Sequence, residues 1–219
     1  MIYRFLPRPI QPVTVLELPY SVADFEDVVR HLNSNEAVCE ARGTIEASFH
    51  RQRETIDSVL HLRTCLGVFP VLGLLEDGAP SHLELRIPCD AAYIQGSSFA
   101  AIAVATVGDL VDAECSRLYK RGEYFDALVV DAMASAALEK AIEQVREEIR
   151  EAESEMKLGQ SLFPGTQQMP IEVLRAIFSL LRPDERIDVR LTEDMIMIPI
   201  RSTSVVIPGV FFAKTLNWS

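Results

Sequence analysis

One acid and one loop in this sequence have the chemistry to hold a ligand. Glu139 follows directly on a cluster of small residues, Ala132, Ala134, Ser135, Ala136 and Ala137, where a long helical pattern passes from apolar to charged. A carboxylate at the edge of a close-packed, alanine-lined groove can bind a cationic or hydroxyl-bearing ligand. An acid in that place can equally be a surface residue paired among the neighbours of Lys140. The loop reads SLFPGTQQMPIE, residues 161–172. Pro164-Gly165 suits positions i+1 and i+2 of a type II turn, in which glycine supplies the positive φ. Such a turn exposes backbone amides, and a helix starting at Pro170 would add further donors and the positive end of its dipole, together a seat for a ligand carboxylate. Glu172 in the first helical turn already complements that dipole, so a plain helix start is the competing reading.

Standard catalytic templates are absent. The sequence holds no G-x-S-x-G, no G-x-G-x-x-G after a strand, no P-loop, no H-E-x-x-H and no EF-hand loop. Cys39, Cys65, Cys89 and Cys115 stand far apart, with no C-x-x-C pair and no histidine at ligand spacing, and so read as reduced, buried thiols. His31, His50, His61 and His82 are equally scattered. His50 and His61, placed on one predicted helix, would lie about 16 Å apart, too far to share a metal ion. The net charge of −11 gives a field that repels nucleic acid and anionic membrane. No apolar run is long enough to span a bilayer, and the prolines of MIYRFLPRPIQP interrupt any secretory signal, so the chain reads as cytoplasmic.

The elements that must position these residues follow from periodicity. VTVLEL (13–18) suits a strand, and a helix should start near Ser21 and Asp24, with Phe25, Val28, Val29 and Leu32 on one face. A second helix is predicted over 46–66, followed by a short apolar strand or crossing in VFPVLGLLED; the 67–98 region resists assignment. FAAIAVATVGD (99–109) predicts a strand covered on both faces, and DLVDAECSRLYKRG a helix stopped by Gly122. Residues 123–157 form the longest helical pattern, buried at its first end and exposed at its second. PIEVLRAIFSLLRP predicts a short helix with proline at its first position. RIDVRLTE, MIMIPI and STSVVI then predict antiparallel strands joined to the 99–107 strand. The whole is expected to be α+β.

Four segments together are familiar: ATVGD (105–109), ALVVDAMASAALEKAIEQV (127–145), FPGTQQMPIEVLRAIFSLL (163–181) and VRLTEDMIMIPIRSTSVVI (189–207). They resemble the activation domain of vitamin B12-dependent methionine synthase, and more closely its short stand-alone relatives. The most specific part is Leu191, Thr192, Glu193, Met197, Pro199, Ser202 and Ser204. The resemblance covers roughly residues 83–207. It implies one C-shaped α+β domain with a bent antiparallel sheet, residues 1–82 forming its N-terminal α/β portion and 83–219 the activation-domain-like core. It implies binding of S-adenosylmethionine, with the methyl group facing a corrin cobalt held by a cobalamin-binding protein or methionine synthase subunit. An electron from a flavodoxin-like donor and that methyl group then restore methylcobalamin from the cob(II) state. The protein would be a methyltransferase-type accessory subunit that binds and orients, which accounts for the lack of acid and base groups.

Carried over residue by residue, the family's ligand-contacting glutamate on the long helix aligns with Glu139. The family's ligand loop, R-x-x-x-G-Y, falls on Ser161, Phe163, Pro164, Gly165 and Thr166. Gly165 is kept. Ser161 stands where the carboxylate-binding arginine belongs and Thr166 where the tyrosine near the corrin belongs. Loss of a charged bond to a carboxylate costs about 1.5 to 3 kcal/mol. Arg175, Arg182 and Arg201 are the nearby substitutes that sequence offers. Two further readings stand beside the first: an accessory module that binds a corrinoid protein without S-adenosylmethionine, and an enzyme that uses the groove for another anionic or nucleoside-like ligand.

Overall fold

The computed structural model describes residues 2–5, 12–17, 24–32, 41–74, 85–88, 96–152 and 156–211. Its centre is β5 (Phe99–Thr106), every residue of which is buried. The strand order is β4 (Leu85–Pro88), β1 (Ile2–Phe5), β3 (Arg63–Leu74), β5, β9 (Ser202–Phe211) and β6 (Met156–Leu158), with β2 (Thr14–Glu17) also paired to β3. All these pairings are antiparallel. Strands from both ends of the chain therefore share one sheet.

Alternation along β5 divides the core in two, because successive side chains point to opposite faces. Ala101, Ala103 and Ala105 face a helical layer made of α1 (Phe25–His31), α2 (Arg42–Val59), α3 (Asp109–Lys120) and α4 (Tyr124–Ala152). Ala100, Ile102 and Val104 face α5 (Val173–Leu181), whose Val173, Leu174, Ile177, Leu180 and Leu181 are buried. A short α6 (Pro183–Arg186) and a separate hairpin of β7 (Arg190–Leu191) and β8 (Met197–Ile198) lie between α5 and β9 in the chain. The small residues of β5 meet Ala132, Ala134, Ala136 and Ala137 of α4 in the same cluster, so helix and sheet can approach closely.

Several expectations hold. The 99–107 strand is covered on both faces, the helix over 109–122 forms as Asp109–Lys120, the one over 123–157 forms as Tyr124–Ala152 with Met156 and Lys157 instead in β6, and β9 pairs with β5. Others are corrected. The second helix ends at Val59, and Arg63–Leu74 is one twelve-residue strand, so His61 is not on the helix with His50. Pairing of Arg63–Pro70 with Thr106–Phe99 overrides the helical pattern there. β2 covers Arg63–Leu66 and β1 covers Val71–Leu74, so Gly67 and Pro70, poor strand formers, fall between the two partners. α5 starts at Val173, three residues after Pro170. The tail holds two-residue strands at β7 and β8 in a hairpin of their own, and only β9 joins the main sheet. The predicted cap residue Ser21, and Cys39, Cys89 and His82, lie outside the described residues.

Candidate functional site

The helical spacing of α4 lays Ser135, Leu138, Glu139, Ile142, Glu143 and Arg146 along one face, since positions three, four and seven apart stack on a 3.6-residue repeat. This face forms one wall of a cleft of about 590 Å³, within the range of small-molecule sites. Ser161 and Phe163 form another wall, Ser202 and Thr203 at the start of β9 a third, and His31 of α1 closes one end.

The 159–163 segment is held by β9. The Gly159 amide donates to the Pro208 carbonyl at 2.7 Å, and Leu162 and Val206 exchange both backbone bonds at 2.9 Å. Leu162 is buried in the α5 cluster, so by alternation Ser161 and Phe163 turn to the opposite face, toward α4. Of the six residues expected to bind a ligand, Glu139, Ser161 and Phe163 therefore meet in the cleft. Pro164, Gly165 and Thr166 follow the turn and do not line it.

The turn itself has the expected form. Gly165 has φ of 88°, and the Thr166 amide donates to the Phe163 carbonyl at 3.3 Å. The amides of Gly165, Thr166 and Met169, however, are spent within the loop. Gly165 N–H donates to the Met169 carbonyl at 2.8 Å, Met169 N–H to Thr166, and the Thr166 hydroxyl to Phe163 at 2.8 Å. With the helix starting only at Val173, the expected seat for a carboxylate on this turn and at a Pro170 helix start is not formed.

Glu139 is 45% exposed, and its Oε2 lies 3.1 Å from His31 Nε2 and accepts from Arg30 Nη1 at 3.3 Å. Its partners are thus the Arg30 guanidinium and the His31 imidazole of α1. Lys140 instead pairs with Asp27 at 3.0 Å, and that contact is the main reason the Asp27 carboxyl is held below its ordinary range. Glu139 thus ties α1 to α4 and also lines the cleft.

Sequence reasoning missed Arg146. Its Nη1 donates to the Gly159 carbonyl at 3.0 Å and to Ser161 Oγ at 3.1 Å. Burial, reinforced by the neighbouring Arg150, lowers its pKa. The signal was available, since Arg146 stands seven residues after Glu139, two turns along the same face. His31 carried no such signal, because only the packing of α1 on α4 brings it there. The three arginines offered by the sequence lie elsewhere. Arg175 donates to the Glu193 carbonyl at 3.3 Å, Arg182 pairs with Glu185, and Arg201 bridges Asp112 at 2.7 Å and Asp131 at 2.8 Å. None lines the cleft. Among the described residues no cluster could hold a metal ion, and no helix is long and apolar enough to cross a membrane.

No protein-family model matches the chain, and no curated protein matches it. Among solved structures it is similar to the crystal structure of the MetH reactivation domain bound to AdoHcy, with a TM-score of 0.65 and 16% sequence identity, over 95% of this chain and 82% of that one. At that identity the likeness establishes a shared fold: an α+β domain built on a bent antiparallel sheet with flanking helices.

Proposed function

We propose that the protein binds S-adenosylmethionine in the cleft between α4 and the Gly159–Phe163 segment and presents it to a cobalamin-bearing partner for reductive remethylation. The observation that carries this reading is the meeting of Glu139, Ser161 and Phe163, chosen on the resemblance, in one cleft of suitable size. It is supported by the fold shared with a domain solved with AdoHcy. In this reading the partner's corrinoid, reduced by one electron from a flavodoxin-like donor, takes the methyl group, and S-adenosylhomocysteine is released.

The chain's own contribution is binding and orientation. Glu139, already beside Arg30 and His31, accepts from ribose hydroxyls. Ser135 and Thr203 offer hydroxyl donors and acceptors, Ser202, whose hydroxyl donates to the Pro199 carbonyl, offers an acceptor, and Phe163 offers an apolar face to the adenine or the thioether. Docking on a corrinoid protein or methionine synthase subunit, a role in methionine biosynthesis and cytoplasmic location rest on the resemblance. So does the division of one domain into residues 1–82 and 83–219. Calorimetry with S-adenosylmethionine and S-adenosylhomocysteine up to millimolar concentration, with and without a cobalamin-loaded partner, tests the reading. Saturable heat supports it, and no binding in either condition overturns it.

A second reading is an accessory module that docks on a corrinoid protein without the nucleoside. It is favoured by Ser161, which stands where the family places the arginine that binds the ligand carboxylate. Capture of cobalamin-loaded protein together with no nucleoside binding would select it.

A further inference from the structure

The cleft has a guanidinium where the carboxylate end of its ligand would need one, on a different element from the loop that was expected to supply it. Arg146 lines the cleft, is half-buried, and has Ser161, the residue in place of the expected arginine, hydrogen-bonded to its Nη1. The Gly159 carbonyl accepts from the same nitrogen. Both contacts hold the guanidinium in place, and neither neutralises it. They engage Nη1 alone, so Nη2 and Nε retain donors in the planar fork that matches a carboxylate. Glu143 lines the same cleft, yet no ion pair joins it to Arg146, and no other described carboxylate pairs with this arginine. A partly desolvated cation with no counter-ion among the described residues gains more from an anionic ligand than a paired surface arginine does. Burial already disfavours its charge, as the lowered pKa records.

We infer that Arg146 is the anion anchor of this cleft, taking the α-carboxylate of an amino-acid-bearing nucleoside, with Ser161 and Gly159 fixing its guanidinium. The inference rests on the proposed nucleoside site and adds the polarity of the bound ligand. Arg146 and Glu139 are seven residues apart on α4, a rise of about 10 Å. The amino-acid end of an elongated ligand therefore lies toward the second half of α4 and Gly159, and the ribose toward α1 and His31. Ser161 becomes the support of a relocated arginine, and its departure from the family pattern no longer removes the charge from the site.

The test compares S-adenosylhomocysteine with 5′-methylthioadenosine, which keeps the adenosine and thioether but lacks the carboxylate, by calorimetry on the full chain. Wild type is expected to prefer S-adenosylhomocysteine by about ten- to a hundredfold. Arg146→Met is expected to erase that preference while leaving 5′-methylthioadenosine within about twofold, which also shows that the variant is folded. Arg146→Lys should keep part of the preference, because it keeps the charge but not the fork. Equal binding of the two nucleosides by wild type, or an undiminished preference in Arg146→Met, overturns the inference and leaves the proposed function standing. Failure of wild type to bind either nucleoside, both alone and with the cobalamin-loaded partner, overturns both.

Discussion

Replacing Glu139 by glutamine separates its contact with α1 from its proposed ligand role, because the two carry different expected magnitudes. As a strut, Glu139 joins α4 to α1 through Arg30 at 3.3 Å and His31 at 3.1 Å. With its side chain 45% exposed, ion pairs of this kind contribute at most about 1 kcal/mol, and less at physiological salt. For a chain of this size that is a fall in Tm of about 2–4 °C. As a ligand group, the carboxylate accepting from ribose hydroxyls contributes about 1.5–3 kcal/mol, or ten- to a hundredfold in Kd. Glutamine keeps the length and one acceptor, so its effect isolates the charge. Thermal melts and S-adenosylhomocysteine calorimetry on the same preparations give both numbers. The expected result is a small loss of stability beside a large loss of affinity. A fall in Tm with affinity unchanged within about twofold would refute the binding role and leave Glu139 as a strut.

Three further predictions concern the scaffold. Asp126 accepts from Ser48 Oγ, Arg51 Nη2 and Gln52 Nε2 at 2.6, 2.7 and 3.0 Å. Burial alone would raise its carboxyl, but these bonds outweigh it and hold the pKa below 3.8. Its stabilisation is therefore complete above about pH 4 and is lost as pH falls through the depressed folded value. Asp126→Ala should cost about 3 kcal/mol in urea denaturation at pH 7, and the gap to wild type should narrow at pH 3. Cys65 and Cys115 are buried, with thiols pushed up to about 11, so peptide mapping should find both unmodified by iodoacetamide at pH 8 in folded protein and modified after unfolding. A methyl group at Gly209 would overlap the fully buried Phe99 ring of the paired strand. Gly209→Ala should cost about 1–3 kcal/mol, and combination with Phe99→Leu should recover part of it.

Periodicity found the elements whose pattern is enforced by local chemistry. α4 and β5 were legible because one carries a long helical repeat and the other an unbroken apolar run ended by Gly108. β3 was not, since Gly67, Pro70 and Gly73 interrupt a strand made by pairing with β5 at long sequence separation. The start of α5 was misplaced because Pro170 is a common first helical residue, yet here the chain makes one more turn before Val173. At the site, the face of α4 that carries Glu139 also carried Arg146, so that arginine was within reach of a helical count. The expected carboxylate seat failed for a reason no sequence shows: the amides of Gly165, Thr166 and Met169 close on carbonyls of their own loop. His31 reached the cleft through helix packing alone.

The most direct test of the nucleoside site is a titration of isotopically labelled protein with S-adenosylhomocysteine followed by backbone NMR. Binding in the cleft predicts saturable shifts concentrated at Glu139, Arg146, Ser161, Phe163, Ser202 and Thr203, on three elements distant in sequence but joined in space. No saturable shift at millimolar ligand, or shifts centred on the β7–β8 hairpin and α6 with the cleft silent, would contradict the account.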